Sequence, residues 1–129
     1  MSEVSREALS SFVAIALVLG MVSEALAWRL GLWLYNRPWV RIFNVLVTFG
    51  LIYGGLSYAL AEDGFGVQFL VGAALGLVNE AANERWFRAW YFPGRSVPWL
   101  RGNTAVVVIG LLWGLVPPIV VAVRSLLWG

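Results

Sequence analysis

Four long runs of apolar residues, separated by short polar stretches, set the pattern along this chain. A helix that spans a bilayer needs about 20 mainly apolar residues, because it rises about 1.5 Å per residue across roughly 30 Å of hydrocarbon. The pattern therefore predicts an all-α, polytopic membrane protein with four transmembrane helices. We place the spans at residues 11–35, 42–61, 67–91 and 104–123, joined by short connections.

The second half of the chain repeats features of the first half. An offset of 56 residues matches seven of seventeen positions around the first span, including Glu24 with Glu80 and Arg29 with Arg85. An offset of 60 matches seven of seventeen positions around the second span. We interpret this as two tandem helical hairpins in a parallel arrangement, related by a pseudo-two-fold axis along the membrane normal. The hairpins are residues 11–61 and 67–123, within one four-helix domain of residues 1–129.

Glycines spaced four residues apart recur on three of the predicted spans. Such pairs let helix backbones approach closely in lipid, where the hydrophobic effect does not drive helices together. They are Gly50 with Gly54, Gly72 with Gly76, and Gly110 with Gly114. On the third span the same helix face continues with Glu80, Glu84 and Arg88. We expect this polar half of the face to lie against another helix and away from lipid.

The residue types that the chain lacks exclude several kinds of site. Cysteine and histidine are absent, and all nine basic residues are arginine. We therefore expect no disulfide, thiol nucleophile, histidine-bound haem, zinc site of the usual ligands or lysine Schiff base, and we predict no cofactor and no resident metal. The formal charge of +2 is too small to indicate nucleic-acid binding. A 60% apolar composition with mean hydropathy +0.80 indicates a lipid bilayer as the partner.

Arginines are concentrated on one side of the predicted bundle. The loops 36–41 and 92–103 contain Arg37, Arg41, Arg95 and Arg101. By the positive-inside rule we expect these loops in the cytoplasm and both termini outside, with the protein integral to the cell (inner) membrane. Residues 12–22 could be the core of a secretory signal peptide, but the leader MSEVSRE has no basic region. We therefore expect the first span to remain in the protein.

Eight tryptophan and tyrosine residues gather near the same side. They are Trp28, Trp33, Tyr35, Trp39, Trp86, Trp90, Tyr91 and Trp99. Amphipathic rings prefer headgroup depth, which indicates an aromatic belt; a box that stacks on a substrate is the alternative. On the fourth span, Pro117 and Pro118 predict a bend, because proline lacks the N–H that a helix needs.

Buried acids are the main candidates for chemistry. The proposed axis would bring Glu24 and Glu80 toward each other near the middle of the membrane, where a charge is costly. Two adjacent carboxylates repel, and a proton or a cation would relieve that repulsion. Asn79, Asn83 and Glu84 could add oxygen ligands of the kind that Na⁺ or Mg²⁺ prefers. We predict these five residues as the ion, proton or substrate site, and we predict no catalytic residue.

Three arginines could instead neutralise these acids in a structural role. Glu84 and Arg88 are four residues apart, in the favourable order for an ion pair on a helix. Arg85 lies about 140° around the helix from Glu80, so those two cannot pair easily. We expect pairs across the repeat instead, Glu24 with Arg85 and Glu80 with Arg29.

Three functions fit these features. The first is a proton- or cation-coupled transporter or channel, which would work as a homo-oligomer because four spans hardly enclose a pathway. The alternative is a non-catalytic subunit or assembly factor of a larger membrane complex, which glycine-rich helix faces and short loops suit equally well. The third is a lipid- or isoprenoid-modifying membrane enzyme with a glutamate as general acid. We rank the enzyme last, since the chain lacks a usual nucleophile.

Two short segments resemble known families. ERWFRA at residues 84–89 resembles the Glu-Arg-x-Phe-Arg-Ala stretch of the membrane-associated proteins of eicosanoid and glutathione metabolism, which are also small four-span proteins. Residues 90–92 depart from that pattern, because Trp-Tyr-Phe stands where Asn and Glu should follow. Glu80, Asn83 and Glu84 resemble the Glu/Asn-rich helix of bacterial diacylglycerol kinase at a different spacing. Neither segment covers more than a dozen residues, and we assign no family.

Overall fold

Four helices, each long and apolar enough to cross a membrane, make up the computed structural model, which describes every residue from 1 to 129. They are α1 (Glu3–Leu30), α2 (Pro38–Ala59), α3 (Gly64–Phe87) and α4 (Gly102–Trp128). The prediction of an all-α chain with four such helices is confirmed. The helix ends differ from the predicted ones, and two of these differences shape the site.

The first helix ends at Leu30, five residues before the predicted end of the first span. Gly31 has φ 63°, a left-handed conformation that glycine adopts without steric cost, and its N–H bonds to the carbonyls of Ala27 and Trp28. The chain then turns back, and residues 34–35 form the short strand β1 (Leu34–Tyr35). The apolar run LWLY predicted more helix, but the glycine cap reverses the chain before it.

The third helix ends at Phe87, four residues before its predicted end. Its last turn, Asn83–Phe87, is a wider π turn, and Arg88 follows with φ 46°. The next residues form β2 (Trp90–Tyr91), which pairs antiparallel with β1. Leu34 lies opposite Tyr91, and Tyr35 lies opposite Trp90. This two-stranded pairing joins the two halves of the chain beside the ends of α1 and α3.

Irregular turns interrupt the other two helices. In α2, residues Asn44–Tyr53 form a π-helical segment. In α4, Trp113–Leu115 form one 3₁₀ turn directly before Pro117. Because Pro117 has no N–H to bond to the carbonyl of Trp113, the N–H of Val116 bonds to it instead. The helix is thus locally tightened before the two prolines, and the predicted bend stays a prediction.

Glycines bring α1 against α2 and α3 against α4. A Cβ added at Gly54 would lie 2.8 Å from the Cα of Val13 on α1. A Cβ added at Gly76 would lie 2.5 Å from the carbonyl oxygen of Gly110, and one at Gly110 would lie 2.9 Å from the Cα of Leu77. Any side chain at these positions would push the backbones apart. Close helix contact therefore depends on glycine at each of these crossings.

An aromatic cluster fills the centre between α2 and α4. The Trp113 ring stacks on Tyr53 with centroids 4.7 Å apart and lies 4.6 Å from Phe49. The Tyr53 hydroxyl donates to the carbonyl of Gly72 at 2.8 Å, which ties α2 to α3. At the terminal side, Arg124 Nε donates to Ser11 Oγ at 2.6 Å and ties α4 to α1. These contacts close the four helices into one bundle.

Candidate functional site

Glu24 is almost completely buried near the loop end of α1, with 3% of its surface exposed. Trp33 Nε1 lies 3.2 Å from both carboxylate oxygens, and Asn44 Nδ2 donates to Oε1 at 2.8 Å. The Tyr35 hydroxyl donates to the same Oε1. Trp33 and Tyr35 can reach the carboxylate because the chain reverses at Gly31. Three neutral donors thus surround this acid, two from the segment after α1 and one from α2.

Arg41 supplies a positive charge to Glu24. Its Nε lies 3.4 Å from Oε2, an ion pair without a hydrogen bond, since Nε has no hydrogen-bond partner. The guanidinium carbon lies 5.2 Å from the centroid of the Tyr35 ring. Burial, and next the negative charge of Glu24, raise the pKa of the Tyr35 hydroxyl well above its usual value. Tyr35 therefore remains a hydrogen-bond donor, and the charge of Glu24 is balanced.

Glu80 is as buried as Glu24 but has only neutral partners. Its carboxylate, 3% exposed as a residue, accepts from Trp90 Nε1 at 2.8 Å and from Trp113 Nε1 at 3.0 Å. Each indole donates to a different carboxylate oxygen, so both oxygens of Glu80 can accept further hydrogen bonds. The only ion pair in the structure joins Arg41 to Glu24. Glu80 thus has no positive charge bonded to it.

Asn83 holds the chain segment that carries Trp90. Its Oδ1 accepts from the backbone N–H groups of Ala89 and Trp90, at 2.8 and 3.2 Å. Its Nδ2 donates to the carbonyl of Trp90 at 2.9 Å. The side chain is 1% exposed, so both ends of its carboxamide are used by the backbone after α3. Asn83 lies in the predicted site, and its contacts position a donor to Glu80.

The other predicted site residues lie farther from these contacts. Asn79 and Glu84 are half-buried, and the Asn79 Nδ2 has no hydrogen-bond partner. Arg29, Arg85 and Arg88 are exposed, and none of them forms an ion pair. The expected pairs do not form: Glu84 with Arg88, Glu24 with Arg85, and Glu80 with Arg29. The first of these needs four helical residues in succession, and Arg88 has already left the helix in a left-handed conformation.

Both acids lie closer to the loop ends of their helices than the sequence predicted. Glu24 is six residues from the end of α1 and Glu80 is seven residues from the end of α3. These separations correspond to about 9 and 10 Å along a helix. The expectation of a position near the middle of the membrane assumed that helix continued to Trp33 and Trp90, which it does not.

One cavity of about 220 Å³ connects the surroundings of the two acids. Of its 15 lining residues, 12 are hydrophobic, and Glu80 is the only acidic one. Trp33, Tyr35 and Asn44, which donate to Glu24, also line it, whereas Glu24 itself does not. The wall on the α4 side includes Leu112, Leu115 and Ile119, which are exposed on the outer surface of the bundle. The cavity therefore reaches an apolar outer face.

Several residues of this site were not predicted as site residues. They are Trp33, Tyr35, Arg41, Asn44, Trp90 and Trp113. Three of these aromatic residues were assigned to the interfacial belt, where Trp28, Trp39, Trp86 and Trp99 are exposed as that assignment expects. Asn44 carried a detectable signal, because a lone carboxamide inside an apolar span needs a partner. Trp113 carried no signal, since tryptophan is common in such spans.

No family model, characterised protein or solved structure matches the chain. We therefore infer its function from the two carboxylates, their partners and the cavity between them.

Proposed function

We propose that the protein lies in a membrane and carries a proton or a monovalent cation, which Glu80 binds and releases. The observation that supports this most strongly is the placement of the Glu80 carboxylate on a cavity wall with two indole donors and no positive partner. An isolated buried carboxylate is expensive in an apolar surrounding, so a proton or a cation stabilises it there. Binding and release at one such group is the elementary step of coupled transport.

The contrast with Glu24 explains why we assign this role to Glu80. Glu24 already has Arg41 at 3.4 Å and donors from Trp33, Tyr35 and Asn44. A second cation there would meet the positive charge of Arg41 and would displace existing hydrogen bonds. At Glu80 a cation would meet neither obstacle. The sequence predicted two equivalent acids that face each other. In the structure Arg41 compensates the charge of Glu24, whereas Glu80 has no positive partner and could bind a cation.

Membrane insertion rests on the four apolar helices and their outer surfaces. Large apolar side chains such as Leu46, Leu51, Leu70 and Val78 are exposed along the bundle, which suits acyl chains and would be costly in water. The arginine-rich loops 36–41 and 92–103 favour the cytoplasmic side of a cell membrane, with both termini outside. In this orientation Trp28, Trp39, Trp86 and Trp99, which are exposed, lie near the cytoplasmic headgroups.

Two features support the proposed duplication and its pseudo-two-fold axis. The antiparallel strand pairing joins two segments that the repeat offset of 56 makes equivalent, 34–35 and 90–91, and it pairs them crosswise, Leu34 with Tyr91 and Tyr35 with Trp90. A two-fold axis between β1 and β2 is what such a pairing requires. Matched glycines also make the close contacts of each hairpin, Gly50 and Gly54 in α2 and Gly110 and Gly114 in α4. The acids differ because Arg41 pairs with Glu24, while its repeat partner Arg101 is exposed.

Within one chain, 15 residues line the cavity beside Glu80. A continuous pathway across the membrane is a different requirement. Four helices enclose little space, so we expect a homo-oligomer to complete the pathway.

The role of Glu80 can be tested with purified protein in liposomes. A potassium diffusion potential set with valinomycin should drive protons inward, and a dye such as pyranine inside the vesicles would report them. A sodium-sensitive dye serves the same purpose for Na⁺. We expect wild-type flux of one of these ions, and flux at the background of empty vesicles for Glu80→Gln. Glutamine keeps the size and the hydrogen-bond acceptor of glutamate but cannot exchange a proton or a charge.

The matched control is Glu62→Gln, an exposed acid in the connection between α2 and α3. This control should retain wild-type flux. Absence of flux in wild-type vesicles, or equal flux in wild type and Glu80→Gln, would contradict the proposed function.

A further inference from the structure

We infer that the cavity beside Glu80 binds a monovalent organic cation with an apolar body, such as a quaternary ammonium. This inference rests on the proposed function for the role of Glu80, and it names the class of substrate. The cavity has a volume of about 220 Å³, which equals the volume of roughly seven water molecules at about 30 Å³ each. A proton or a bare metal ion does not need such space. The cavity is large enough for a small organic molecule.

The walls of the cavity favour a positive charge on an apolar molecule. Six aromatic residues line it: Trp33, Tyr35, Phe49, Trp90, Phe92 and Trp113. The faces of such rings attract cations, and the attraction is strongest where water is excluded. The remaining wall is mostly aliphatic and would contact the uncharged part of the ligand. The combination of six aromatic residues and one carboxylate is complementary to an organic cation.

A hydrated metal ion fits this lining poorly. Hard cations need about six oxygen ligands to replace their water, and no group of three or more acidic, histidine or cysteine residues exists in the structure. Glu80 provides a single carboxylate, and most of the wall has no oxygen to offer. An anion is excluded by the charge of Glu80. An organic cation is weakly hydrated and needs no such set of ligands.

A quaternary ammonium also leaves the existing hydrogen bonds in place. It has no N–H to donate, so it would contact the free faces of the Glu80 carboxylate while Trp90 and Trp113 keep their bonds. It would enter from the apolar outer face, where Leu112, Leu115 and Ile119 belong to both the cavity wall and the bundle surface. Amphipathic cations concentrate beside such a face in a bilayer.

Binding of benzyltrimethylammonium tests this inference directly. Protein in nanodiscs of phosphatidylglycerol is dialysed against the radiolabelled cation, for wild type, Glu80→Gln and Glu62→Gln. We expect saturable binding to wild type and to Glu62→Gln, and affinity lower by about tenfold or more for Glu80→Gln. Neopentylbenzene, an uncharged molecule of the same shape, and Na⁺ should both fail to displace the label. This comparison uses only wild type, so it remains decisive if Glu80→Gln does not fold.

The results separate this inference from the proposed function. Absence of saturable binding up to about 10 mM, or displacement by neopentylbenzene, would overturn the organic-cation class even if ion flux depends on Glu80. Conversely, Glu80-dependent binding without proton or sodium flux would retain the ligand class and overturn the transport of those two ions. A second set of nanodiscs with phosphatidylcholine identifies the source of the ligand. Competition by its trimethylammonium headgroup would assign a lipid, and the lack of competition would assign a free cation.

Discussion

At the scale of single residues, the two buried glutamates differ in their partners and not in their burial. Each is 3% exposed, and each accepts from tryptophan indoles. Glu24 also has Arg41, which brings a compensating charge from α2. The free energy of burying Glu24 therefore depends on Arg41, whereas Glu80 has only two neutral indole donors.

We expect Arg41→Gln to destabilise the protein by about 1–3 kcal/mol, because it leaves Glu24 charged without a positive partner. Arg41 is 31% exposed, so the loss should be below the roughly 3–5 kcal/mol of fully buried pairs. The double variant Arg41→Gln/Glu24→Gln should recover part of this loss. Reversible unfolding in mixed micelles, followed by tryptophan fluorescence, gives the four free energies of the cycle.

Arg37→Gln is the control for this cycle, since Arg37 is exposed directly before α2 and forms no ion pair. It should change stability by less than about 0.5 kcal/mol. A coupling energy of zero between positions 24 and 41 would mean that the ion pair contributes nothing to the fold.

At the scale of helices, backbone contact at glycine determines how each pair packs. Gly76 lies at the crossing of α3 and α4, four residues before Glu80 on the same face of the helix. The opposing surface there is formed by Gly110 and Trp113, and Trp113 donates to Glu80. The close approach at Gly76 therefore places that indole beside the carboxylate.

We expect Gly76→Ala to destabilise the protein by about 1–3 kcal/mol, because its Cβ would lie 2.5 Å from the Gly110 carbonyl oxygen. Gly55→Ala is the matched control on α2, since a Cβ at Gly55 has no atom within 4 Å. It should leave stability unchanged or raise it by up to about 1 kcal/mol, as alanine forms helix better than glycine. The same micelle assay measures both variants. Equal effects of the two substitutions would show that α3 and α4 have room to separate.

At the scale of the whole molecule, the bundle has two unlike ends. One end carries the strand pairing, the arginine-rich loops and four of the five exposed tryptophans, all but Trp128. The other end has the short connection with Glu62 and Asp63, and both chain termini. We expect the first end to face the cytoplasm.

Because the chain has no cysteine, single cysteines can report this orientation without background labelling. We expect Glu62→Cys to react with a membrane-impermeant maleimide in intact cells, and Pro98→Cys to react only after permeabilisation. Both positions are exposed in connections between helices. The reverse labelling pattern would mean that the arginine bias does not set the topology.

The apolar runs were sufficient to predict four helices, because length and hydropathy alone determine whether a helix can span a bilayer. Their ends were less predictable. Gly31 and Arg88 stop α1 and α3 by adopting left-handed conformations, and the residues beyond them, LWLY and AWYF, are as apolar as the helices. Periodicity cannot separate a helix from a chain reversal when both consist of large apolar residues.

The two buried acids were predictable, since carboxylates inside apolar spans need partners within the protein. Their partners were not, because Trp33, Tyr35 and Trp90 reach them only after the chain has reversed. Arg29 on α1 and Arg85 on α3 were the expected partners, each for the acid of the other helix. The arginine that pairs with Glu24 comes instead from the start of α2. Tertiary structure beyond the helix ends determined these contacts, and a helical wheel does not contain that information.

The pairing of Tyr35 with Trp90 has a mechanical consequence. These two residues are opposite each other in the ladder, and their side chains bond to different acids, Tyr35 to Glu24 and Trp90 to Glu80. A shift of either strand along its partner would withdraw a donor from one acid while straining the donor of the other. The register of this short ladder therefore fixes where one hydrogen-bond donor to each of the two acids lies.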